Sequence, residues 1–298
     1  MTDGAPGSTD MTDPSRNDSP GDRPLTRRRL LRNGLLLSSG LLLVSTSENA
    51  VSSVLALAGK GSAAGLSSAA AGLLATQSCI ASPQVTEGPY FVDERLDRSD
   101  IRADPATGEV SDGFPVRLAI AALLLSNGEC APLQGAQIDI WHCDALGVYS
   151  DVSDNIMGTS GLGRKYLRGY QVTDANGSVE FTTIYPGWYQ GRAVHIHFKI
   201  RTDPQSETGY EFTSQLFFED ALNDYVFTTF DPYVQKGPSP LPNANDGIYQ
   251  GTSGLLTLQP SLEDDGYAAS IAVTLDPTAP AGPVGPGGPG GPPSRPGS

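Results

Sequence analysis

Gly169-Tyr170-Gln171-Val172, Thr173-Asp174-Ala175-Asn176-Gly177 and Ser178-Val179-Glu180-Phe181-Thr182-Thr183 form one continuous stretch whose reading decides the fold. Two short runs rich in β-branched and aromatic residues flank the turn signal Asp174-Ala175-Asn176-Gly177, so both runs read as strands. Outward from it, Val116–Leu125, Ala136–Cys143, Ala193–Arg201, Phe212–Phe217 and Tyr267–Leu275 have the same character. Many short strands separated by turn signals predict an all-β domain, an antiparallel β-sandwich. No long stretch after the N-terminal region carries apolar residues at helical spacing, although Tyr225–Val234 has room for about a turn of helix. No internal repeat is visible.

The ends of the chain read differently. Residues 1–25 are rich in Ser, Asp, Gly and Pro and cannot build a core. Thr26-Arg27-Arg28-Arg29-Leu30-Leu31-Arg32 follows, and then an apolar run from Leu35 to Val44. This resembles a twin-arginine export signal. The run is shorter than the roughly 20 residues of a membrane span. Ala56-Leu57-Ala58 offers a cleavage site, so the expected division is a signal over 1–58, a flexible leader over 59–78, a catalytic-size domain over 79–276 and a Pro/Gly-rich tail over 277–298. The prediction is a secreted or extracytoplasmic protein with no stable membrane insertion of the mature chain.

Charge narrows the partners. The formal charge is −14, and the six arginines of residues 1–58 (Arg16, Arg23, Arg27, Arg28, Arg29, Arg32) cancel six acids (Asp3, Asp10, Asp13, Asp18, Asp22, Glu48). The whole excess therefore sits on residues 59–298, which argues against nucleic acid as a partner. Three cysteines, Cys79, Cys130 and Cys143, allow one disulfide and one thiol in an exported protein. Cys143 lies in an apolar strand-like run and reads as the buried thiol, which makes Cys79 with Cys130 one candidate pair; the sequence leaves the pairing open. The sequence does not fix the oligomeric state.

The chemistry concentrates in one strand. Of three histidines, two form His195-Ile196-His197, and side chains two apart on a strand share a face. That is half of a metal site, since imidazole is the commonest metal ligand. Just upstream, Tyr185-Pro186-Gly187-Trp188-Tyr189-Gln190-Gly191-Arg192 presents aromatic and cationic groups, and Tyr149 closes the segment Trp141–Ser150. Any single tyrosine among the eleven has packing as its ordinary role. A three-histidine copper or zinc site adding His142 is one alternative; Asp139 and Asp144, near His142, are the carboxylates that an Fe(II) site of two histidines and one carboxylate would draw on.

Several motifs together resemble the intradiol ring-cleavage dioxygenases, in particular exported single-chain members. They are Glu87-Gly88-Pro89-Tyr90-Phe91, Pro132-Leu133 with Gly135-Ala136, Trp141 through Ser150, Thr173-Asp174 with Gly177, Pro186-Gly187-x-Tyr189, Arg192 and His195-x-His197. The resemblance spans about residues 79–275. It implies Fe(III) held by Tyr149, Tyr189, His195 and His197, with Tyr189 released when substrate arrives. Tyr185 competes for the Tyr189 role, but the Pro-Gly-x-Tyr context favours Tyr189. Arg192 matches the family's active-site arginine, and Gln215 a glutamine just behind it. The implied reaction is O2-dependent cleavage of catechols between the hydroxyl-bearing carbons, giving muconate-type diacids. Phenolate donors suit the ferric state; a free tyrosine ionises only near pH 10 and needs a strong neighbouring positive charge. His142 reads as packing or support, Trp188 as lining the pocket mouth or packing on the turn, and Gly88, Pro89 and Tyr90 as pocket wall. The competing expectation is a non-catalytic, transthyretin-like β-sandwich surface or adhesion module, which shares several of these motifs but has no need of the four-ligand set.

Overall fold

The computed structural model describes residues 79–154, 159–206 and 209–279. The segments read as an export signal and a leader, and nearly all of the Pro/Gly tail, lie outside the described residues.

Twelve strands and two helices occur in them. The strands are β1 (Pro115–Ser126), β2 (Glu129–Pro132), β3 (Gln137–Trp141), β4 (Ser153–Asp154), β5 (Thr159–Ser160), β6 (Arg168–Val172), β7 (Ser178–Ile184), β8 (His195–Arg201), β9 (Glu211–Phe218), β10 (Thr257–Leu258), β11 (Ser261–Glu263) and β12 (Gly266–Leu275). The helices are α1 (Asp220–Thr229) and α2 (Gly247–Gly251). No helix of the described residues is long and apolar enough to cross a membrane.

Two five-stranded sheets make the sandwich. In the first, β12 runs along one edge of β1, while β7 and then β2 share the other. The second runs β10-β9-β8-β3-β6. The sheets bury one common core, which includes Leu118, Ile120, Phe181 and Val273 from the first sheet and Ile138, Ile140, Ile196, Phe198, Ile200 and Leu216 from the second. The sandwich is not antiparallel throughout. β1 and β12 pair parallel over nine residues, Val116–Leu124 with Tyr267–Leu275, and β10 pairs parallel with β9. Parallel pairing requires a long crossover. Here one crossover is nearly the whole domain and the other contains α1 and α2.

The alternation of side chains along β8 positions the site. Ile196, Phe198 and Ile200 point into the sandwich core, so His195, His197 and Lys199 point to the outer face of the second sheet. That face is not left to solvent, for six of the seven β8 residues are buried. It is roofed by an extended strap, residues 79–97. The strap is tied down by Val85 N–H donating to Thr213 O (3.1 Å), Ser214 Oγ–H to Pro83 O (2.8 Å) and Tyr170 N–H to Leu96 O (2.8 Å). At its start a Cys79–Cys130 disulfide joins it to β2, and Cys143 is a buried free thiol.

Candidate metal centre

His195 and His197 reach the outer face from β8, and their Nε2 atoms lie 3.0 Å apart. His195 Nδ1–H donates to Ala193 O (2.7 Å), which turns the Nε2 lone pair toward its neighbour. Tyr189 Oη sits 3.3 Å from His195 Nε2. The Tyr149 ring lies 5.6 Å from that of Tyr189 and 6.1 Å from that of His197, measured between centroids. All four side chains are buried, and Tyr149 Oη and His197 Nδ1 have no hydrogen-bond partner among the described residues. Buried polar atoms without partners are rare and need a cause.

Two turns carry the tyrosines, and they meet backbone to backbone. Gly187 N–H donates to Asp144 O (3.0 Å), and a methyl group at Gly187 would run into the carbonyl oxygens of Asp144 and Ala145. On the facing turn Gly147 adopts φ +88° beneath the Trp188 carbonyl. Asp144 Oδ1 closes its own turn by accepting from Leu146 N and Val148 N, both at 2.9 Å, and so is no ligand candidate. Tyr90 of the strap stacks on Tyr149 at 4.3 Å and meets Tyr189 edge-on at 5.5 Å, walling the cluster.

Burial sets the proton affinities. It pushes the Tyr149 phenol well above its ordinary value, and Tyr189 up to about 12 even though the Arg192 guanidinium pulls the other way. Burial also lowers His195 to about 3, helped by Arg192, and takes His197 well below the ordinary imidazole range. Without a cation, all four groups are therefore neutral at pH 7. Two lone-pair nitrogens and two phenol oxygens converging in a buried cluster fit a highly charged cation such as Fe(III), which would take the imidazoles as they are and favour ionised phenols.

The other sequence candidates separate cleanly. Tyr185 Oη–H donates to Asn223 Oδ1 (2.6 Å) in the sandwich core, away from the histidines. His142 donates from Nδ1 to Cys143 O (2.8 Å) and accepts from Thr183 Oγ1–H at Nε2 (2.7 Å), so it does not join a three-histidine site. Asp139 accepts from Gln137 Nε2 (3.0 Å) and lies 3.9 Å from Arg201. Trp188 packs on the turn after α1, with its indole N–H donating to Gly237 O (2.8 Å) and Lys236 above its ring. Arg192 donates from Nη2 to Gln215 Oε1 (2.5 Å), and Gln215 Nε2 donates to Thr86 O (3.0 Å).

A family described as Dioxygenase matches residues 86–247, more than half of the chain. The chain belongs to the intradiol ring-cleavage dioxygenases. Among curated proteins, the chlorocatechol 1,2-dioxygenase of Pseudomonas putida is 32% identical over 153 residues, 45% of this chain and 52% of that protein. The namesake enzyme of Pseudomonas sp. strain P51 is 28% identical over 195 residues, 58% of this chain and 69% of its own. The chain thus spans about half the length of the first of these relatives. Among solved structures, the intradiol ring-cleavage dioxygenase from Tetranychus urticae superposes with a TM-score of 0.56 at 28% identity, covering 67% of this chain and 96% of that one. A transthyretin-like module is not favoured by these likenesses, and nothing in such a module calls for a dry two-phenol, two-imidazole cluster.

One residue beside this cluster escaped the sequence reading, and another does more than the wall it was read as. Tyr90 was expected only as pocket wall, yet it holds both tyrosine rings. Asp246, buried and bonded to Arg192, was not singled out at all. Its one sequence signal is Asp246-Gly247-Ile248, an acidic residue at a helix start, which normally means no more than a cap.

Proposed function

We propose that this chain is an Fe(III)-dependent intradiol dioxygenase, cleaving catechols with O2 between the two hydroxyl-bearing carbons to give muconate-type diacids. The observation that carries the proposal is the convergence of Tyr149, Tyr189, His195 and His197, with Tyr149 Oη buried and unpartnered. These four would hold the iron. Bound ferric iron would supply the path by which electrons of a chelated catecholate reach O2.

The chain's own groups do the rest. Tyr189 is the base that takes up a proton from an entering catechol hydroxyl. Tyr149, pinned by stacking against Tyr90, stays in place. Arg192, whose guanidinium lies close enough to draw on the Tyr189 phenol, is placed to stabilise negative charge building on the ring. Gln215 fixes the other branch of the guanidinium. The tyrosine-rich wall excludes water from the reacting carbons. Neutral catechols suit a body carrying the full −14 better than acidic ones such as protocatechuate. Export is supported by Thr26-Arg27-Arg28-Arg29 and by the Cys79–Cys130 disulfide, a bond that persists in oxidising compartments.

The test is oxygen uptake with a catechol panel on the extracytoplasmic and cytoplasmic fractions, with products identified by mass. Purified protein should carry iron and be burgundy-red from phenolate-to-iron charge transfer. Tyr149→Phe should shift that band and abolish uptake. Colourless, iron-free protein after growth in ample iron, or products cleaved beside rather than between the hydroxyls, would overturn the reading.

A further inference from the structure

We infer that Asp246 is a positioning residue that holds both Arg192 and His195 in place for the proposed iron centre. The inference rests on the iron reading above for its purpose, but its geometry stands independently. Asp246 lies at the start of α2, about 50 residues downstream of the strand that bears the histidines. It is 2% exposed, and all of its oxygen capacity is used. Oδ1 faces α2 and accepts from Ile248 N (2.8 Å) and Tyr249 N (3.3 Å), an ordinary helix cap. Oδ2 faces the other way and accepts from Arg192 Nε (2.9 Å) and Ala193 N (2.9 Å).

The second pair of bonds reaches the centre by two routes. Along one, Asp246 takes Arg192 Nε while Gln215 takes Nη2 from the opposite branch. Gripped on both, the planar guanidinium can present its remaining Nη1 in one direction only. Along the other, the carboxylate pins Ala193, whose carbonyl accepts His195 Nδ1–H at 2.7 Å. That bond selects the imidazole tautomer and ring orientation that aim Nε2 at the centre. Outer partners of this kind commonly change metal affinity or activity by about 10–100-fold when removed. The negative charge also balances a guanidinium only 15% exposed, which an uncharged cap would leave unpaired.

The deciding variant is Asp246→Asn, because Asn caps a helix about as well as Asp. Its single oxygen can serve α2 or the Arg192–Ala193 side, not both, and its amide NH2 then confronts a donor. In the full-length protein, iron affinity by chelator competition should fall by about 10–100-fold and the visible band should move. In the metal-free protein, the imidazole 15N shifts of His195 should depart from the single tautomer seen in the wild type. Asp246→Glu, which keeps the charge, should retain more of all three signals. Val273→Ala, which weakens the sandwich core from the first sheet without touching Asp246, Arg192 or His195, should leave them unchanged.

Wild-type values in Asp246→Asn would overturn the inference and leave Asp246 a cap. So would equal losses in Val273→Ala, or a Glu variant no better than Asn. Failure of the iron reading looks different: a wild type without iron or colour, whatever Asp246 does to the His195 shifts.

Discussion

Cys79 and Cys130 are 51 residues apart in sequence, and their disulfide closes the strap onto the first sheet. In the chain-entropy model, a loop of that length restricts the unfolded state by about 4 kcal/mol at 25 °C. For a domain of about 200 residues, each kcal/mol moves Tm by roughly 2–4 °C, so reducing the bond should lower Tm by about 8–16 °C. The assay is a thermal melt with and without reductant, beside the double variant Cys79→Ser/Cys130→Ser, which should melt like the reduced wild type. Thiol titration provides the control. Unfolded but unreduced protein should show one thiol, Cys143, and reduced protein all three. The site itself should survive at 25 °C, because the strap is held downstream of Cys79 by separate bonds at Pro83, Val85 and Thr86. A reductant shift below about 3 °C, well under the entropic estimate, would refute the reasoning. Three thiols titrating before reduction would refute it as well.

Asp139→Asn should stabilise the protein at pH 8 and not at pH 4. Burial raises the Asp139 carboxyl to about 6 despite Arg201 nearby, whereas the unfolded group titrates near 3.9. Between those values the native state holds a proton that the unfolded state has lost, so stability falls as pH rises from about 4 to about 6 and stays lower above. The ceiling on the effect is about 3 kcal/mol, and Arg201 keeps Asp93 and Glu211 as partners; an Asn variant melting lower than wild type at pH 8 sinks the argument. Gly187→Ala should lose about 2 kcal/mol and bind less iron, because the new methyl forces apart the two turns that carry Tyr149 and Tyr189. Melting temperature and iron content read together check this, and wild-type values in both would contradict it.

What the sequence discloses depends on how local the cause is. β7 was legible because Val179 and Phe181 alternate with Ser178, Glu180 and Thr182, and because Asp174 Oδ1 accepts from Asn176 N and Ser178 N in the turn before it. His195 and His197 were legible because a strand's period of two places them on one face. β2 was not, since Glu129–Pro132 is a polar, mostly exposed edge with no apolar run. α1 was seen only in part, because it turns just Asn223, Val226 and Phe227 inward, too few for a helical stripe. The parallel pairing of β1 with β12 is settled by packing across the whole domain, and no window of sequence contains it. The Asp246 contact is of the same kind: a common capping residue acquires a second duty only once α2 folds back against β9, where Tyr249 meets Phe217 edge-on at 5.1 Å.

Burial also explains why the members of the cluster belong together. Each phenol is held protonated and each imidazole deprotonated by desolvation, so the cluster without a cation carries no charge of its own. Such a site offers no preformed carboxylate charge to a divalent ion. A trivalent ion changes the balance, because each phenol it ionises gains a charge partner in a low-dielectric setting where the attraction is strong. Two phenolates would leave one positive charge on such an ion; a dianionic catecholate would carry the total to −1, and release of one phenolate as its protonated phenol would restore neutrality. Tyr149 is clamped under Tyr90 with Arg168 6.0 Å from its ring, whereas Tyr189 meets Tyr90 only edge-on and has its oxygen beside His195, so the packing around the two phenols differs.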